Sequence, residues 1–336
     1  MIKIEKFNET YLKIYCDDGI AQELYDYFSF EVPGARFHPK VKKKQWNGKI
    51  HLFNSGTHHI YVGLIDYVED FAKQNNYPCE RISDFSDDTI ENVSEVIESF
   101  QLSKEPRDYQ LAAFAHAVRK RRALLLSPTA SGKSLIIYML CRYYNLRTLL
   151  IVPTTALVHQ MYSDFEDYGF DSKNNCHKIF SGQEKDVDKQ VYISTWQSIH
   201  RLPKKWFDQF DCVIGDEAHL FKAASLTTIM KNLSNCRYRF GFTGTLDGSQ
   251  THKLVLEGLF GTVKKVTTTS ELINRNYLSQ FKIKAVVLDY DEETRQLMKK
   301  ATYHDEMDFI VNYAPRNKFL CNLALSLEGN TLVLYQ

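Results

Sequence analysis

One short segment in the middle of the chain has the residue types that bind phosphate. It is a loop of small and hydroxylated residues, Ser127-Pro128-Thr129-Ala130-Ser131-Gly132-Lys133-Ser134. An apolar run precedes it and a helix-like run follows, so backbone N–H groups and a positive helix N-terminus would face a phosphate there. In such a loop the lysine reaches the β and γ phosphates and the last hydroxyl is a ligand of Mg²⁺. The candidate nucleotide-binding residues are Thr129, Ser131, Gly132, Lys133 and Ser134, with ATP and Mg²⁺ as the expected cofactors.

The loop departs from the usual G-x-x-x-x-G-K-[ST] pattern at its first position, where Ser127 stands in place of glycine. A Gly-Lys-Ser tripeptide also occurs where it only caps a structural helix, because Ser and Gly favour such junctions. This segment alone therefore leaves both interpretations open.

A pair of carboxylates follows a second apolar run. Cys212 to Gly215 leads into Asp216-Glu217-Ala218-His219, and ligand groups in a doubly wound sheet gather at the carboxyl ends of strands. Asp216 is therefore a candidate ligand of Mg²⁺, and Glu217 a candidate base that orients and deprotonates the attacking water. With Lys133 they form the predicted catalytic set. The alternative is an acidic first turn that complements a helix dipole.

Short β-branched runs alternate with helical stretches from Arg107 onward. This alternation predicts an α/β fold with a mostly parallel sheet covered by helices on both faces. The candidate strands are Ala123 to Ser127, Thr148 to Val152, Val191 to Thr195, Cys212 to Gly215 and Phe240 to Thr243.

The first hundred residues contain a window without acidic side chains, between Glu31 and Asp66. Lysines and arginines alternate there with rings, which suits contact with phosphates and bases. Asn47-Gly48 predicts a two-residue turn joining Val41 to Trp46 with Lys49 to Phe53 in a basic β-hairpin. A solvated hairpin edge defended by lysines is the alternative. The candidate nucleic-acid contacts here are Arg36, Lys42, Lys43, Lys44 and Trp46.

The stretch from Ser83 to Glu105 is acidic and predicts a linker with one short helix that includes Val93, Val96, Ile97 and Phe100. We expect a small basic α+β domain over residues 1–98, an ATP-binding lobe over 99–280, and a linker with the start of a second lobe over 281–336.

Charge and cysteine usage narrow the function classes. The formal net charge of the 336 residues is +1, so nucleic-acid affinity has to come from a local basic patch. The seven cysteines are scattered without a C-x-x-C pair, which argues against a zinc site or a disulfide framework. No apolar run is long enough for a membrane span. We expect a cytoplasmic protein without a structural metal.

Several motifs in this order resemble those of superfamily 2 helicases, in particular the UvsW-type branch of T-even-like bacteriophages. Arg107-Asp108-Tyr109-Gln110 resembles the adenine-recognising Q-type motif, so the resemblance adds Arg107 and Gln110 to the nucleotide-binding candidates. It implies that the ATP-binding lobe is RecA-like, and it implies an ATP-dependent helicase acting on branched or forked DNA and single strands in recombination, repair and replication.

The same resemblance assigns nucleic-acid contact and coupling residues. Val152 to Leu157 and Ser194 to Ser198 resemble strand-gripping motifs, which implicates Thr154, Thr155 and Thr195, although ordinary helix N-caps would have the same residue types. Phe242 to Thr245 resembles motif III, which links the two sites, so Thr243 and Thr245 are expected to couple to His219. A structural histidine is the alternative for His219.

The last residues resemble the opening of a second RecA-like lobe, with a helix over Arg316 to Leu327 and a strand over Thr331 to Tyr335. In this family the second lobe supplies arginines for phosphoryl transfer. An isolated strand has an exposed edge, so we expect the product to be truncated and to have little activity alone.

Two other functions remain open from the sequence. An RNA helicase would carry the same Asp-Glu-Ala-His segment, and comparing stimulation by branched DNA and by single-stranded RNA separates the two. A nucleic-acid-binding fragment without turnover would keep its DNA affinity after Lys133→Ala. Protein partners, polarity and oligomeric state are not predicted.

Overall fold

Alternating apolar residues place the first strands on a small core. In this computed structural model, which describes residues 1–185, 187–246, 248–280 and 282–334, Ile2, Ile4, Leu12 and Ile14 are fully buried. The first elements are β1 (Ile2–Lys6), β2 (Tyr11–Tyr15), α1 (Asp18–Tyr27), β3 (Ser29–Glu31), α2 (Pro39–Lys42), β4 (Lys49–His51), β5 (His59–Tyr61), α3 (Ile65–Gln74) and β6 (Cys79–Arg81). The sheet order is β5-β2-β1-β6, and β3 pairs separately with β4.

The predicted basic hairpin is wrong in its pairing. Lys49–His51 pairs antiparallel with Ser29–Glu31, and residues 32–48, here called the basic loop, connect the two strands. Within the loop, Ala35–Phe37 is a 3₁₀ turn and Pro39–Lys42 is the helix α2. Pro39 stands at the start of α2, where a missing N–H costs nothing and the fixed φ favours a helix. The lysines are therefore held on a helix and its exit rather than on a strand.

The linker helix was predicted correctly, and it packs on the next core. The helix α4 (Val93–Ser99) buries Ile97 among residues of the helices that follow. Next come α5 (Asp108–Lys120), β7 (Arg122–Leu126), α6 (Lys133–Tyr144), β8 (Thr148–Val152), α7 (Thr155–Asp167), α8 (Ser172–Asn175), β9 (Cys176–Ile179), β10 (Val191–Thr195), α9 (Trp196–Ile199), α10 (Lys204–Phe207), β11 (Cys212–Gly215), α11 (Ala224–Asn232), β12 (Tyr238–Thr243), α12 (Gln250–Phe260), β13 (Val263–Lys265) and α13 (Thr269–Asn274).

The strands from β7 to β13 form one sheet in the order β13-β7-β12-β11-β8-β10-β9. Every pairing described in it is parallel. The five predicted strands are confirmed, and the two edge strands β9 and β13 were not predicted. One face is covered by α4 to α7 and the other by α9 to α12, as the two buried clusters show. This is the covering on both faces that parallel sheets require.

The first sheet and the large sheet share one apolar core. Residues of β1, β2 and the 3₁₀ turn Val62–Leu64 belong to the same buried cluster as residues of α11 and α12. The backbones touch closely, because a Cβ on Gly63 would lie 1.9 Å from the carbonyl oxygen of Glu257. The Tyr67 hydroxyl also donates to the carboxylate of Glu257 at 2.7 Å. The contacts place Met1–Ser279 in a single compact unit.

A fully buried arginine stabilises this junction. The guanidinium of Arg239 donates to the carbonyls of Met230, Leu233 and Cys236 and to the Thr10 hydroxyl. Met230 and Leu233 are at the C-terminal end of α11, where a cation complements the helix dipole.

We expect Arg239→Leu to lower the free energy of unfolding by about 3 kcal/mol or more, since a hydrogen bond to a charged donor contributes about 1.5–3 kcal/mol and buried carbonyls would be left unpaired. Denaturant unfolding of the whole chain measures this. The matched control is Arg237→Leu, because Arg237 is exposed. Equal stabilities of the two variants would contradict the assigned role.

Gln280–Gln336 forms the second compact unit. It contains α14 (Glu292–Met298), α15 (Tyr303–Asn312) and α16 (Ala314–Leu325). The predicted helix over 316–327 is confirmed by α16. The predicted strand over 331–335 is wrong for residues 331–334, which are not in a strand, and Tyr335 lies outside the described residues. No helix among the described residues is long and apolar enough to cross a bilayer.

Candidate functional site

The phosphate-loop candidate connects the end of β7 to the start of α6. Gly132 has a φ of 77° and caps α6, a left-handed conformation that glycine adopts without strain. The Ser127 and Ser131 hydroxyls are 2.6 Å apart, and Ser131 also donates to the carbonyl of Pro128 at 2.6 Å. Since Ser131 has one proton to give, Ser127 donates to Ser131. The serine that replaces the usual glycine therefore stabilises the loop through an internal hydrogen bond to Ser131.

The three predicted catalytic side chains meet at the carboxyl end of the sheet. The Lys133 ammonium is 3.1 Å from Glu217 Oε1 and 3.9 Å from Asp216 Oδ1. Asp216 follows β11 directly and is 7% exposed, and Glu217 has a φ of 50°. A non-glycine residue in that region is uncommon. Burial raises the pKa of Asp216, which the neighbouring Lys133 partly opposes.

The donor set at this position fits a magnesium ion. Asp216 Oδ1 is buried and makes no hydrogen bond within the described residues, so it has a lone pair to offer a cation. The described residues include no cluster of three His, Cys, Asp or Glu side chains arranged around a metal. Mg²⁺ commonly takes one or two protein ligands and completes its shell with water and substrate phosphates. Asp216 with Ser134 would be such a set.

Gln110 contacts the phosphate loop rather than an open pocket. It is 3% exposed. Its Nε2 donates to the carbonyls of Ser131 and Gly132 at 2.9 and 3.3 Å, and its Oε1 accepts from the backbone N–H of Arg107 at 2.8 Å. The side chain is thus fully hydrogen-bonded to protein, and it ties the start of α5 to the loop.

Arg107 lies against an aromatic ring that was not among the predicted site residues. Its guanidinium is 4.1 Å from the ring centroid of Tyr277 and donates to the Tyr109 hydroxyl at 2.8 Å. Arg275 forms an ion pair with Asp108 at 2.7 Å. The segment after α13 is therefore bound to the start of α5, next to the phosphate loop.

The predicted coupling residues form a hydrogen-bonded chain. The Thr243 hydroxyl donates to the Thr245 carbonyl at 2.9 Å, so it accepts from Nδ1 of His219 at 3.0 Å. The same Nδ1 is 3.3 Å from Glu217 Oε2. His252 on α12 contacts the carbonyl of His219 at 2.9 Å. The carboxylate pair is thereby connected to the end of β12 and to α12.

The strand-gripping candidates differ in exposure. Thr154 and Thr155 are exposed at the start of α7, and the Thr154 hydroxyl accepts from the N–H of Leu157 at 3.3 Å. Thr195 is 5% exposed and its hydroxyl is 2.9 Å from that of Ser198. The hydroxyl of Thr195 is therefore engaged inside the protein, and only Thr154 and Thr155 present theirs at the surface.

The basic loop presents its cations to solvent. Arg36, Lys42, Lys43 and Lys44 are exposed, whereas Trp46 is half-buried and donates through Nε1 to the Lys49 carbonyl at 2.8 Å. The loop connects β3 with β4, which are not part of the large parallel sheet. The structure therefore does not bring these residues into the nucleotide site.

Sequence reasoning missed one residue beside the predicted Mg²⁺ ligand. The hydroxyls of Ser134 and Tyr168 are 2.8 Å apart. Tyr168 follows α7 and is 7% exposed. Nothing in its sequence neighbourhood resembles a motif, so only the packing of α7 against α6 reveals it.

Comparisons with known proteins agree with this geometry. A family model described as "DNA helicase UvsW, N-terminal" matches residues 1–83, and one described as "Type III restriction enzyme, res subunit" matches residues 103–248. The ATP-dependent DNA helicase uvsW of Enterobacteria phage T4 is 32% identical over 354 residues, which span 100% of this chain and 70% of that protein. The DNA 3'-5' translocase XPB2 of Sulfurisphaera tokodaii is 27% identical over 218 residues, covering 63% of this chain and 48% of that protein.

Two crystal structures of the phage T4 UvsW helicase are similar to the chain. One superposes with a TM-score of 0.71 at 33% identity, over 79% of this chain and 99% of that chain. The other has a TM-score of 0.73 at 32% identity, over 96% of this chain and 67% of that chain. The RecA-like assignment of the parallel sheet is confirmed by these matches.

Proposed function

The chain belongs to the UvsW family of superfamily 2 ATP-dependent DNA helicases, and from that premise we propose that it remodels branched DNA such as forks, Holliday junctions and R-loops. The proposal places this work in phage recombination, repair and replication, in the cytoplasm of the infected host. Residues 1–98 engage DNA, residues 99–280 bind and hydrolyse ATP, and residues 281–336 form a linker and the opening of a second lobe.

The observation that carries the branched-DNA proposal is the core that the first sheet shares with residues 99–280, here called the motor lobe. The backbone contact of Gly63 with Glu257 and the buried Arg239 leave no flexible joint between them. A duplex held by the basic loop is then displaced together with the lobe that binds ATP. A fixed second DNA contact beside a motor suits a substrate with more than one arm.

We assign ATP hydrolysis to the side chains at the end of β11. The Lys133 ammonium lies 3.1 Å from the Glu217 carboxylate and neutralises it. Phosphates in the loop attract that ammonium and leave Glu217 free to orient and deprotonate water. Asp216 and Ser134 would hold Mg²⁺, which supplies positive charge to the phosphates. The loop N–H groups and the N-terminus of α6 add to that stabilisation.

We assign coupling to His219, Thr243 and Thr245. A displacement of Glu217 changes the partner available to His219 Nδ1, which is 3.3 Å from Glu217 and 3.0 Å from Thr243. The change passes to the end of β12 and, through the His252 contact, to α12. The DNA contacts in this proposal are Arg36, Lys42, Lys43, Lys44, Trp46, Thr154, Thr155 and Thr195.

The test compares ATP turnover with a forked duplex, a linear duplex of equal length and a single-stranded RNA. We expect the fork to stimulate turnover about tenfold more than the linear duplex, a difference of about 1.4 kcal/mol. Lys133→Ala should remove the stimulated turnover. Equal stimulation by fork and linear duplex would contradict the branched-DNA proposal, and greater stimulation by RNA would favour an RNA helicase.

A further inference from the structure

The hydroxyl of Tyr168 is built into the core beside the phosphate loop. Its ring centroid is 5.4 Å from that of Tyr138. Lys104, on the segment that precedes α5, places its ammonium 5.4 Å from the centroid of the Tyr168 ring. Ser103 on the same segment donates to the carbonyl of Asp167. The ring is therefore held by α6, by α7 and by the segment that leads into the nucleotide site.

The one side-chain hydrogen bond described for Tyr168 joins it to Ser134, at 2.8 Å between the two hydroxyl oxygens. Packing alone requires only the ring, which a phenylalanine would supply. A phenol hydroxyl can accept a hydrogen bond as well as donate one. The hydroxyl therefore has a partner, and that partner is the proposed Mg²⁺ ligand.

A serine that binds Mg²⁺ turns a lone pair toward the metal, and its O–H then needs an acceptor elsewhere. Groups that orient a metal ligand in this way raise metal affinity, and their removal typically costs about 10- to 100-fold. The Tyr168 oxygen is an acceptor in reach of that proton. Either hydroxyl of this pair can donate, whereas a bound metal would fix Ser134 as the donor.

We propose that Tyr168 is a positioning residue for nucleotide-bound Mg²⁺: its phenol oxygen accepts a hydrogen bond from the Ser134 hydroxyl and thereby aims the serine oxygen at the metal. This inference rests on the proposed role of Ser134 in the ATP site. Tyr168 itself touches neither the metal nor the nucleotide.

The experiment measures binding of a fluorescent ATP analogue to the whole chain while MgCl₂ is titrated, with EDTA as the metal-free reference. We expect Tyr168→Phe to raise the Mg²⁺ concentration at half-maximal binding by about tenfold, the lower end of the range for such groups. Binding in EDTA should be unchanged, because the nucleotide contacts remain. Combining Tyr168→Phe with Ser134→Ala should add nothing to the effect of Ser134→Ala alone.

Tyr138→Phe is the matched control. It also removes a hydroxyl from a buried tyrosine. That hydroxyl accepts from Arg142 at 3.3 Å and has no described hydrogen bond to the Ser134 hydroxyl. This control variant should leave the Mg²⁺ concentration at half-maximal binding, here called the Mg²⁺ midpoint, unchanged. Thermal unfolding checks that both variants are folded.

An unchanged or lower Mg²⁺ midpoint in Tyr168→Phe, with normal Mg²⁺ dependence of the unmodified chain, would overturn the role of Tyr168 alone. A shift of equal size in Tyr138→Phe would overturn it too, because loss of any buried hydroxyl nearby would then suffice. Absence of Mg²⁺-dependent binding in the unmodified chain would instead overturn the proposed ATP site together with this inference.

Discussion

Replacing Glu217 with glutamine is expected to lower ATP turnover by about 10²- to 10⁴-fold, the usual contribution of a positioned general base. The amide keeps the size of the carboxylate but cannot take a proton from water. ATP binding should be retained or become tighter, because Lys133 no longer has the carboxylate 3.1 Å away as a competing partner. Phosphate release gives the turnover, and titration of a fluorescent ATP analogue gives the affinity.

Two controls separate catalysis from binding. Glu166→Gln changes an exposed carboxylate on α7 and should alter neither quantity. Lys133→Ala should weaken nucleotide binding itself. If Glu217→Gln hydrolyses ATP at the unmodified rate, Glu217 is not the base, and the left-handed backbone at this residue needs another explanation.

Removing three lysines of the basic loop is expected to weaken forked-duplex binding by about 10²-fold at physiological salt. Each phosphate contact contributes about 0.9 to the slope of log affinity against log salt, so the triple variant Lys42→Ala, Lys43→Ala, Lys44→Ala should reduce that slope by about three. These side chains are exposed and form no described ion pair, so folding should be unaffected. Fluorescence anisotropy at several salt concentrations measures both quantities.

The control for this variant removes the same number of positive charges elsewhere on the surface. Lys73, Lys204 and Lys205 are exposed lysines outside the basic loop, and changing all three to alanine should leave the salt slope nearly unchanged. An identical loss of affinity in the two triple variants would mean that overall charge, rather than this loop, determines DNA binding.

The sheet of the motor lobe could be predicted because its central strands are buried on both faces. Such strands are continuous apolar runs, as in Thr148–Val152, where all five residues are buried. The edge strands lack that pattern. Cys176–Ile179 has half-buried residues at its centre, and Val263–Lys265 is mostly exposed. Their assignment depends on neighbouring strands that are distant in sequence.

The basic hairpin was mispredicted because a turn signal was given more weight than a helix signal. Gly48 is a bend with a φ of 77°, and it ends the basic loop rather than joining two adjacent strands. Pro39 and the cap that His38 provides to Lys40 set α2 instead. The strand that pairs with Lys49–His51 precedes the whole loop.

The residues that meet at the candidate site were easier to predict than the residues that pack around them. Lys133, Asp216 and His219 stand in motifs whose order along the chain is informative. Tyr168 and Tyr277 stand in none, because their roles come from packing between segments far apart in sequence. Gln110 shows a third case, in which the motif was visible but its contacts with the loop carbonyls were not.

The shared core also sets an order of events during synthesis. The hydrogen bond between Thr10 and Arg239 spans 229 residues, and that between Tyr67 and Glu257 spans 190. The N-terminal strands leave the ribosome first, but α12 and β12, which cover their apolar docking face, emerge much later. Tyr61, Val62 and Leu64 therefore stay uncovered on the nascent chain for most of its elongation. Exposed apolar surface of this kind is where nascent chains aggregate or recruit chaperones, so we expect the first domain to fold productively only once the lobe that covers this surface has been translated.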